Sequence, residues 1–183
     1  MPYKPKPEDI LKELIPAAQR LQRGVAGDRT INKLEKYYND PIGFINDLIS
    51  WPEGGGLTFY QKDMITRMLA NKRVTIRGPH SLGKTALESL LILWFALTRD
   101  AAETDWKVIT TASAWRQLTK YLWPEVHKWA RRLKWAKVGR RPFDYKNELT
   151  SMALKLHWGE AFAVASSVPE LIEKTKFYIE HSQ

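Results

Sequence analysis

The order of apolar segments along the chain predicts an α/β fold in which helices flank a mainly parallel sheet. A short run rich in β-branched residues, Val74–Arg77, precedes a long segment with helical spacing at Gly83–Leu97. A second apolar run, Trp106–Ser113, precedes another helical segment in the same way. Strands that alternate with helices at this spacing form βαβ units, whose strands are parallel.

One region departs from this alternation and predicts an antiparallel hairpin. Within Leu149–Ser167, two apolar runs flank the step Trp158-Gly159-Glu160. Paired runs around a short turn that contains glycine are typical of a hairpin. We therefore expect Glu160 in the turn, exposed to solvent.

The first part of the chain predicts a helical N-terminal extension, residues 1–56, ahead of a main domain, residues 57–183. Apolar residues three or four apart predict helices at Glu8–Leu21, Thr30–Tyr38 and Pro41–Ile49. Consecutive glycines at 54–56 mark a loop, because glycine destabilises helices and strands. A further helix, Phe59–Asn71, begins after Thr58, which is a suitable N-cap residue.

The helical segment after the second strand, residues 114–135, contains Pro124. Proline lacks the backbone N–H that a helix interior needs, so Pro124 predicts a kink or the start of a new helical segment. Aromatic residues at helical spacing usually face the core. The tryptophans predicted to do so are Trp115, Trp123, Trp129 and Trp135.

The composition limits the compartment. The 183 residues contain no cysteine, which excludes disulfides and thiolate metal sites. The sequence has no apolar run long enough to cross a bilayer, and its first ten residues lack the apolar centre of a secretory signal. We therefore expect a cytoplasmic protein with no membrane partner.

The charge is strongly basic and uneven. The formal net charge is +9, from 29 Lys and Arg against 20 Asp and Glu. The segment Lys128–Arg141, here called the basic segment, contains seven basic residues and no acidic one. Such a field attracts nucleic acid. The alternative, a solvated helix face whose tryptophans point to the core, stays open at this stage.

The sequence GPHSLGKT, Gly78–Thr85, matches the phosphate-binding motif G-x-x-x-x-G-K-[ST]. The motif requires a strand before it and a helix after it, and the sequence predicts both. It indicates a P-loop NTPase-type sheet and a nucleotide site, with ATP and Mg²⁺ as cofactors. The alternative is a structural glycine turn.

The residue types of this loop suit a triphosphate. Glycines let backbone N–H groups approach phosphate oxygens, and the start of the next helix attracts the same anion. Lys84 reaches the β- and γ-phosphates, and the Thr85 hydroxyl ligates Mg²⁺. The predicted nucleotide-binding residues of the loop are Gly78, Pro79, His80, Ser81, Leu82, Gly83, Lys84 and Thr85.

Four segments carry a resemblance to a known family: LTFYQKDMITRML, VTIRGPHSLGKTALESLLILWFAL, KVITTASAWRQL and AFAVASSVPELIE. They resemble the ATPase domain of the large terminase subunit of tailed bacteriophages, the motor that packages DNA into proheads. The resemblance covers Leu57–Glu173. It implies that double-stranded DNA, other motor subunits, the small terminase subunit and the portal are partners.

The resemblance also implies that Gln61, preceded by Tyr60, contacts adenine. A glutamine side chain offers a donor and an acceptor to the adenine edge. Phe59 or Tyr60 offers a face for stacking. The alternative is that Gln61 simply begins a surface helix.

The chain departs from the family pattern in its loop. Many family members carry an arginine there that acts on the γ-phosphate, whereas this loop has Pro79, His80 and Ser81. His80 is able to donate a hydrogen bond but is only partly charged near neutral pH.

The family's next strand, which ends in Asp-Glu, is also missing. The closest endings are KFYIE at Glu180 and LHWGE at Glu160, and neither has the pair. Lys84 and Glu180 are therefore the catalytic candidates, and we expect weak or no turnover, because a missing general base slows reactions about a hundred- to ten-thousandfold. The family's coupling segment and nuclease domain would follow Gln183, so we expect the ATPase domain to be incomplete.

DNA is expected to contact the protein through its phosphates and without sequence preference. The predicted contacts in the basic segment are Lys128, Arg131, Arg132, Lys134, Lys137, Arg140 and Arg141. Arg116 and Lys120, four residues apart, extend them along one helix face.

Three functions stay open from the sequence. The first is the ATP-binding part of a terminase-type packaging motor. The second is another nucleic-acid translocase or helicase ATPase domain. The third is a regulatory module that binds ATP without hydrolysing it.

Overall fold

The computed structural model describes residues 33–79 and 81–165. A 3-10 turn at Glu35–Tyr37 comes first. The helices are α1 (Pro41–Leu48), α2 (Phe59–Ala70), α3 (Lys84–Ala101), α4 (Trp115–Gln117), α5 (Trp123–Arg131) and α6 (Trp135–Val138), with a π turn at Leu118–Leu122 between α4 and α5. The strands are β1 (Trp106–Ala112), β2 (Leu149–Thr150), β3 (Ala153–Lys155) and β4 (Gly159–Ala165).

Helices flank one mixed sheet of four strands in the order β1-β4-β3-β2, which confirms the α/β class. β1 and β4 are parallel, with Trp106 opposite Gly159. β3 is antiparallel to β4, and β2 is antiparallel to β3. The sheet is therefore not mainly parallel as predicted, because the short connection from β3 to β4 permits only antiparallel pairing.

The predicted hairpin is confirmed as β3 and β4, but Glu160 lies in β4 and not in the turn. Its backbone pairs with Lys155 and Lys107 on the two neighbouring strands. The side chain is half-buried, and its Oε1 is 3.8 Å from Lys107 Nζ. The turn lies one step earlier, since the residues between the two strands are 156–158.

The predicted strand Val74–Arg77 is wrong: this segment is irregular. Val74 keeps 39% of its surface exposed, and only Ile76 is half-buried. A β-branched run becomes a strand when its backbone groups pair with a neighbour and one face is buried. Among residues 33–79 and 81–165, no strand pairs with this segment. Its backbone groups therefore lack a neighbouring strand, and most of its side chains stay exposed.

The other predicted helices and strands within the described residues are largely confirmed. α1, α2, α3 and β1 match the predicted Pro41–Ile49, Phe59–Asn71, Gly83–Leu97 and Trp106–Ser113 within a few residues. The predicted helix Thr30–Tyr38 lies partly outside the described residues and ends in the 3-10 turn. The predicted helix Glu8–Leu21 lies wholly outside them.

The long helical segment after β1 is broken, as Pro124 predicts. The N–H of Trp123 donates to the carbonyl of Leu118, five residues back, and α5 begins there with Pro124 in its first turn. Proline cannot continue the regular pattern of backbone donors, so the turn before it widens. Leu118 and Leu122 point inward and are buried.

Helix α3 is the central element of the core. Its Leu90, Leu93 and Leu97 are almost fully buried and belong to one apolar cluster with residues of α1, α5 and the sheet. Burial of such side chains contributes about 1.5–3 kcal/mol each. The far end of α3 is also tied to the N-terminal part, since Trp94 Nε1 donates to the Tyr37 carbonyl at 2.7 Å.

Hydrogen bonds at both ends of α3 fix its direction against the sheet. At its C-terminal end, Asp100 Oδ1 accepts from the backbone N–H of Trp158, which precedes β4, at 2.7 Å. Nearer its N-terminal end, Ser89 Oγ lies 3.4 Å from the carbonyl of Leu122, which follows β1. α3 therefore runs antiparallel to β1 and β4, and the loop before it lies toward the carboxyl ends of these strands.

Candidate nucleotide-binding site

The loop Gly78–Thr85 leads directly into α3. Gly83 is in the left-handed conformation, with φ +70°, and α3 begins at Lys84. The first helical hydrogen bond runs from Leu87 N to the Gly83 carbonyl at 2.9 Å. No side chain caps this helix start. The N–H groups of its first turn are therefore available to an anion.

Gly83 is the glycine that the loop conformation requires, because its φ of +70° lies in the left-handed region. A Cβ on Gly83 would also lie 2.8 Å from Gln61 Nε2. A Cβ on Gly78 would lie 2.7 Å from Leu82 Cδ1, the end of a flexible side chain that is able to move. Ser81 also has a positive φ of 68°.

The Lys84 ammonium group points back into the loop. Its Nζ donates to the Gly78 carbonyl at 2.8 Å and to the Pro79 carbonyl at 2.7 Å. Among the described residues it makes no salt bridge with a carboxylate. A flexible cation held only by neutral oxygens exchanges them readily for the charged oxygens of a phosphate.

Thr85 is half-buried in the first turn of α3. Its hydroxyl makes no hydrogen bond with the residues that the structure describes. Its carbonyl oxygen accepts from Ser89 Oγ at 2.8 Å, which fixes the backbone one turn into the helix. This leaves the Thr85 hydroxyl as a candidate Mg²⁺ ligand, as the motif predicts.

The start of α2 lies against the loop through Gln61. Its Nε2 donates to the Gly83 carbonyl at 3.4 Å, and its Oε1 accepts from Thr58 N at 3.0 Å. Thr58 Oγ1 accepts in turn from Gln61 N at 3.4 Å, which completes a capping box and confirms Thr58 as the N-cap. Gln61 is buried and therefore helps to position the loop, and its contact with adenine stays a prediction.

Two aromatic side chains flank this contact. Phe59 is 85% exposed, and Tyr60 is half-buried with its ring centroid 5.5 Å from that of Phe59. A phenylalanine so exposed at a helix start has little packing role. Both rings are one or two residues from Gln61 in the chain, and the Phe59 ring is open to solvent.

In the basic segment, three cations are already paired with carboxylates. Lys128 Nζ is 2.9 Å from Glu125 Oε1. Arg140 and Arg141 both bind Glu148, at 2.8 Å and 3.2 Å. Pairing with a carboxylate reduces the attraction of these side chains for phosphate.

The remaining cations of the basic segment differ in availability. Lys134 donates to a carbonyl of α1 at 3.1 Å, and the Arg132 guanidinium lies 5.4 Å from the ring centroid of Trp129. Arg131 and Lys137 are exposed and make no hydrogen bond or salt bridge with described residues. The predicted DNA contacts stay a prediction, for which these two are the least engaged residues.

No cluster of carboxylates lies at the loop among the described residues. Glu160 lies at the opposite end of the sheet, and Glu180 lies outside the described residues, as does His80. Glu88, one turn into α3, makes no hydrogen bond or salt bridge within the described part of the chain. Although its surface is exposed, partial desolvation raises the pKa of its carboxyl.

The described residues offer few side chains that could hold a metal ion. Among residues 33–79 and 81–165, no group of three or more His, Cys, Asp or Glu side chains is placed to hold a metal ion. The described residues also include no helix long and apolar enough to span a membrane.

An open cleft of about 520 Å³ lies at the other pole of the sheet. Trp106, Lys155 and His157 are among its lining residues, at the amino ends of β1 and β4. The loop Gly78–Thr85 does not line it. Substitution of its exposed side chains is a suitable control for changes made at the loop.

Sequence reasoning missed two residues near the loop. Trp115 was predicted to be core but is 47% exposed, because it opens α4 directly after β1 while Leu118 faces inward. Trp123 and Trp129 are buried as predicted, and Trp135 is half-buried against the core.

The second missed residue is Ser89, which is fully buried between α3 and the π turn. A serine within the apolar run LESLLIL, four residues after Thr85, was the available signal. Such a hydroxyl commonly bonds the carbonyl one turn back.

No protein-family model matches this chain, and no curated protein or solved structure matches it either.

Proposed function

We propose that this chain is the ATP-binding part of a terminase-like DNA-packaging motor. Mg-ATP binds at Gly78–Thr85, and in the full-length protein its hydrolysis drives the translocation of double-stranded DNA. The observation that carries the proposal is the loop itself: within the described part of the chain, the Lys84 ammonium is bound to carbonyls alone, beside an uncapped helix start. A structural glycine turn requires neither feature.

Different residues of the loop bind different parts of Mg-ATP. Lys84 exchanges the carbonyls of Gly78 and Pro79 for phosphate oxygens, and the first N–H groups of α3 donate to the same anion. Thr85 holds Mg²⁺ through its hydroxyl. Bound Mg-ATP supplies the phosphoryl group and the charge on which these residues act.

The adenine is proposed to lie at the start of α2. The exposed Phe59 ring or the Tyr60 ring provides a stacking face, and Gln61 has a second amide hydrogen besides the one directed at Gly83. Since Gln61 also positions Gly83, adenine binding is expected to change the conformation of the loop.

Hydrolysis by this chain alone is proposed to be weak. No described residue brings an Asp-Glu pair to the loop. Of the two candidates that the sequence offers, Glu160 lies at the amino end of β4, which leaves Glu180 as the proposed base. A positioned base typically contributes a hundred- to ten-thousandfold, about 3–5 kcal/mol of barrier. The same observation favours the alternative of a module that binds ATP without hydrolysing it. A helicase-type translocase is a further alternative.

Binding of a fluorescent ATP analogue with Mg²⁺ tests the proposal. Lys84→Ala is expected to weaken binding roughly ten- to hundredfold, since a charge-assisted hydrogen bond contributes about 1.5–3 kcal/mol. Lys155→Ala removes one exposed cation from the cleft at the opposite pole and is the matched control. Equal affinity of the wild type and Lys84→Ala, with both proteins folded, would overturn the proposal.

Turnover separates the alternatives. Phosphate release by the chain, with and without double-stranded DNA, is expected to be near the uncatalysed level. If the chain hydrolyses ATP rapidly and Glu180→Gln abolishes this activity, Glu180 is the base. The non-hydrolysing reading is then wrong. An activity that is coupled to strand separation would favour the helicase reading.

A further inference from the structure

An exposed surface with an unusual residue combination lies on the π turn and the helix before it. Its members, here called the π-turn surface, are Trp115, Arg116, Lys120 and Tyr121. Trp115 is 47% exposed and Tyr121 is 59% exposed, and both cations are exposed. Tryptophan and tyrosine are seldom left this open without a partner.

The π-turn surface spans the π turn and the short helix before it. The hydrogen bond from Trp123 N to the Leu118 carbonyl closes the π turn, which contains Lys120 and Tyr121, whereas Trp115 and Arg116 lie in α4. All four residues fall within seven consecutive positions. Two aromatic rings and two cations therefore share one short exposed stretch.

The cations of the π-turn surface have no acidic partner. Neither Arg116 nor Lys120 makes a salt bridge within the described residues, and positions 106–124 contain no Asp or Glu. The next carboxylate along the chain, Glu125, binds Lys128. This surface therefore keeps its positive charge, unlike much of the basic segment.

The position of the surface links it to the loop. It follows β1 directly, at the carboxyl end of the parallel strands, where the loop also lies. Ser89 Oγ lies 2.8 Å from the Thr85 carbonyl and 3.4 Å from the Leu122 carbonyl, so one buried side chain joins the loop helix to the π turn.

We propose that the π-turn surface is a nucleic-acid contact that binds phosphates through its cations and stacks unpaired bases on its aromatic rings. It therefore favours single-stranded stretches or frayed ends over intact duplex, in which the bases are not accessible for stacking. Nucleic acid fits better than an acidic protein because the aromatic faces add stacking at the same positions as the charge. The choice of polyanion rests on the proposed function.

Fluorescence anisotropy with the full chain tests this inference, with labelled oligothymidylate and a duplex of equal length as probes. An aromatic variant combines Trp115→Ala with Tyr121→Ala. Its affinity for oligothymidylate is expected to fall about tenfold or more, because each stacked base contributes about 1–3 kcal/mol. Its affinity for the duplex is expected to change little. Trp115→Phe keeps a stacking face and is expected to bind nearly as the wild type does.

A charge variant combines Arg116→Gln with Lys120→Gln. It is expected to weaken both probes and to reduce the slope of log affinity against log salt by about 0.7 per lost phosphate contact on single strands. The matched control, Lys146→Gln with Lys155→Gln, removes two exposed cations that lie outside the loop and the basic segment. It should have a clearly smaller effect.

The aromatic control is Trp158→Ala, since Trp158 is 36% exposed at the opposite pole of the sheet. An aromatic variant that binds oligothymidylate as the wild type does would overturn the inference. So would equal losses in the charge variant and its matched control, or in Trp158→Ala. Circular dichroism melts of every variant identify any that fail to fold. Trp115→Phe keeps an aromatic ring and the glutamine variants keep a polar side chain at exposed positions, so these variants still test the inference if the aromatic variant does not fold.

Titration of the same variants with the ATP analogue distinguishes the two proposals. If the chain binds ATP through Lys84 but the aromatic variant keeps wild-type affinity for oligothymidylate, only the present inference fails. If oligothymidylate binding depends on the π-turn surface but ATP does not bind, the proposed function fails and this contact stands.

Discussion

The loop Gly78–Thr85 contains one lysine and the basic segment contains seven basic residues, and the partners of these charges differ. Among the described residues, the Lys84 ammonium bonds to two backbone carbonyls and to no carboxylate. In the basic segment, Lys128, Arg140 and Arg141 are bound to carboxylates. The difference shows that the availability of a charge depends on its partners, and that a count of basic residues does not measure it.

The partners of the basic segment flank it in the chain. Glu125 and Glu148 lie three residues before and seven residues after Lys128–Arg141, and both fold back onto it. The Glu148 carboxylate also accepts from Asp144 N at 2.7 Å. It therefore organises the loop before β2 in addition to neutralising two arginines.

The largest effect is expected for Glu148→Ala, which breaks this arrangement. The Arg140 and Glu148 side chains are each 19% exposed, so the change leaves a largely buried guanidinium unpaired. We expect a loss of about 2–3 kcal/mol in the free energy of unfolding, measured by urea denaturation. It should also increase duplex DNA affinity, because Arg140 and Arg141 regain free charge.

Glu125→Ala is the matched change at the other end of the basic segment. Its partner Lys128 is 48% exposed, so the loss of the pair is expected to cost less than about 1 kcal/mol. If the two variants lose equal stability, the distinction drawn between an organising carboxylate and a surface pair is wrong.

The second prediction concerns the loop. Gly83→Ala places a Cβ at a φ of +70° and 2.8 Å from Gln61 Nε2. The left-handed conformation alone costs about 1–2 kcal/mol for a residue with a side chain. We expect a comparable loss of stability together with weaker binding of the ATP analogue, because Gln61 and the loop are displaced from each other.

Gly54→Ala is the control for this change. Gly54 has nearly the same φ, +69°, but a Cβ there would meet nothing within 4 Å. It should lose similar stability and keep wild-type nucleotide affinity. Unchanged nucleotide affinity in Gly83→Ala as well would mean that the contact between Gln61 and Gly83 has no role in binding.

The smallest effect is expected at Glu88, one turn beyond the loop. Desolvation raises the pKa of its carboxyl above the ordinary 4.5, so the folded chain holds this proton more tightly than the unfolded chain does. The stability contributed by Glu88 therefore falls as the pH rises through the raised pKa. Glu88→Gln should raise the melting temperature slightly at neutral pH and leave it unchanged near pH 4. A shift of the same size at both pH values would contradict this account.

Much of the fold follows from local sequence patterns. α1, α2 and α3 are amphipathic or apolar segments with clear start signals, such as the capping box of Thr58 and Gln61. Pro124 correctly predicts the break before α5, because its missing N–H is a local property. The hairpin of β3 and β4 follows from two apolar runs joined by a short connection, although the glycine lies in β4 and not in the turn.

The failures depend on contacts that are distant in the chain. Val74–Arg77 has the composition of a strand, but a strand exists only where another strand pairs with it, and the sequence cannot specify that neighbour. Trp115 has the spacing of a core residue in a regular helix. The π turn that follows it breaks that helical spacing, and Trp115 is exposed. In the site, the motif predicts which residues form the loop. The contact of Gln61 with Gly83 and the burial of Ser89 depend on how distant segments pack, so the sequence does not predict them.

Hydrogen–deuterium exchange with and without a non-hydrolysable Mg-ATP analogue tests the central claim most directly. If the loop amides and the first turn of α3 hold the phosphates, exchange within residues 78–87 slows at saturating analogue, while exchange in the basic segment does not change. This protection should be absent in Lys84→Ala at the same concentration. Unaltered exchange across residues 78–87 in the wild type would contradict the claim that this loop binds a nucleotide.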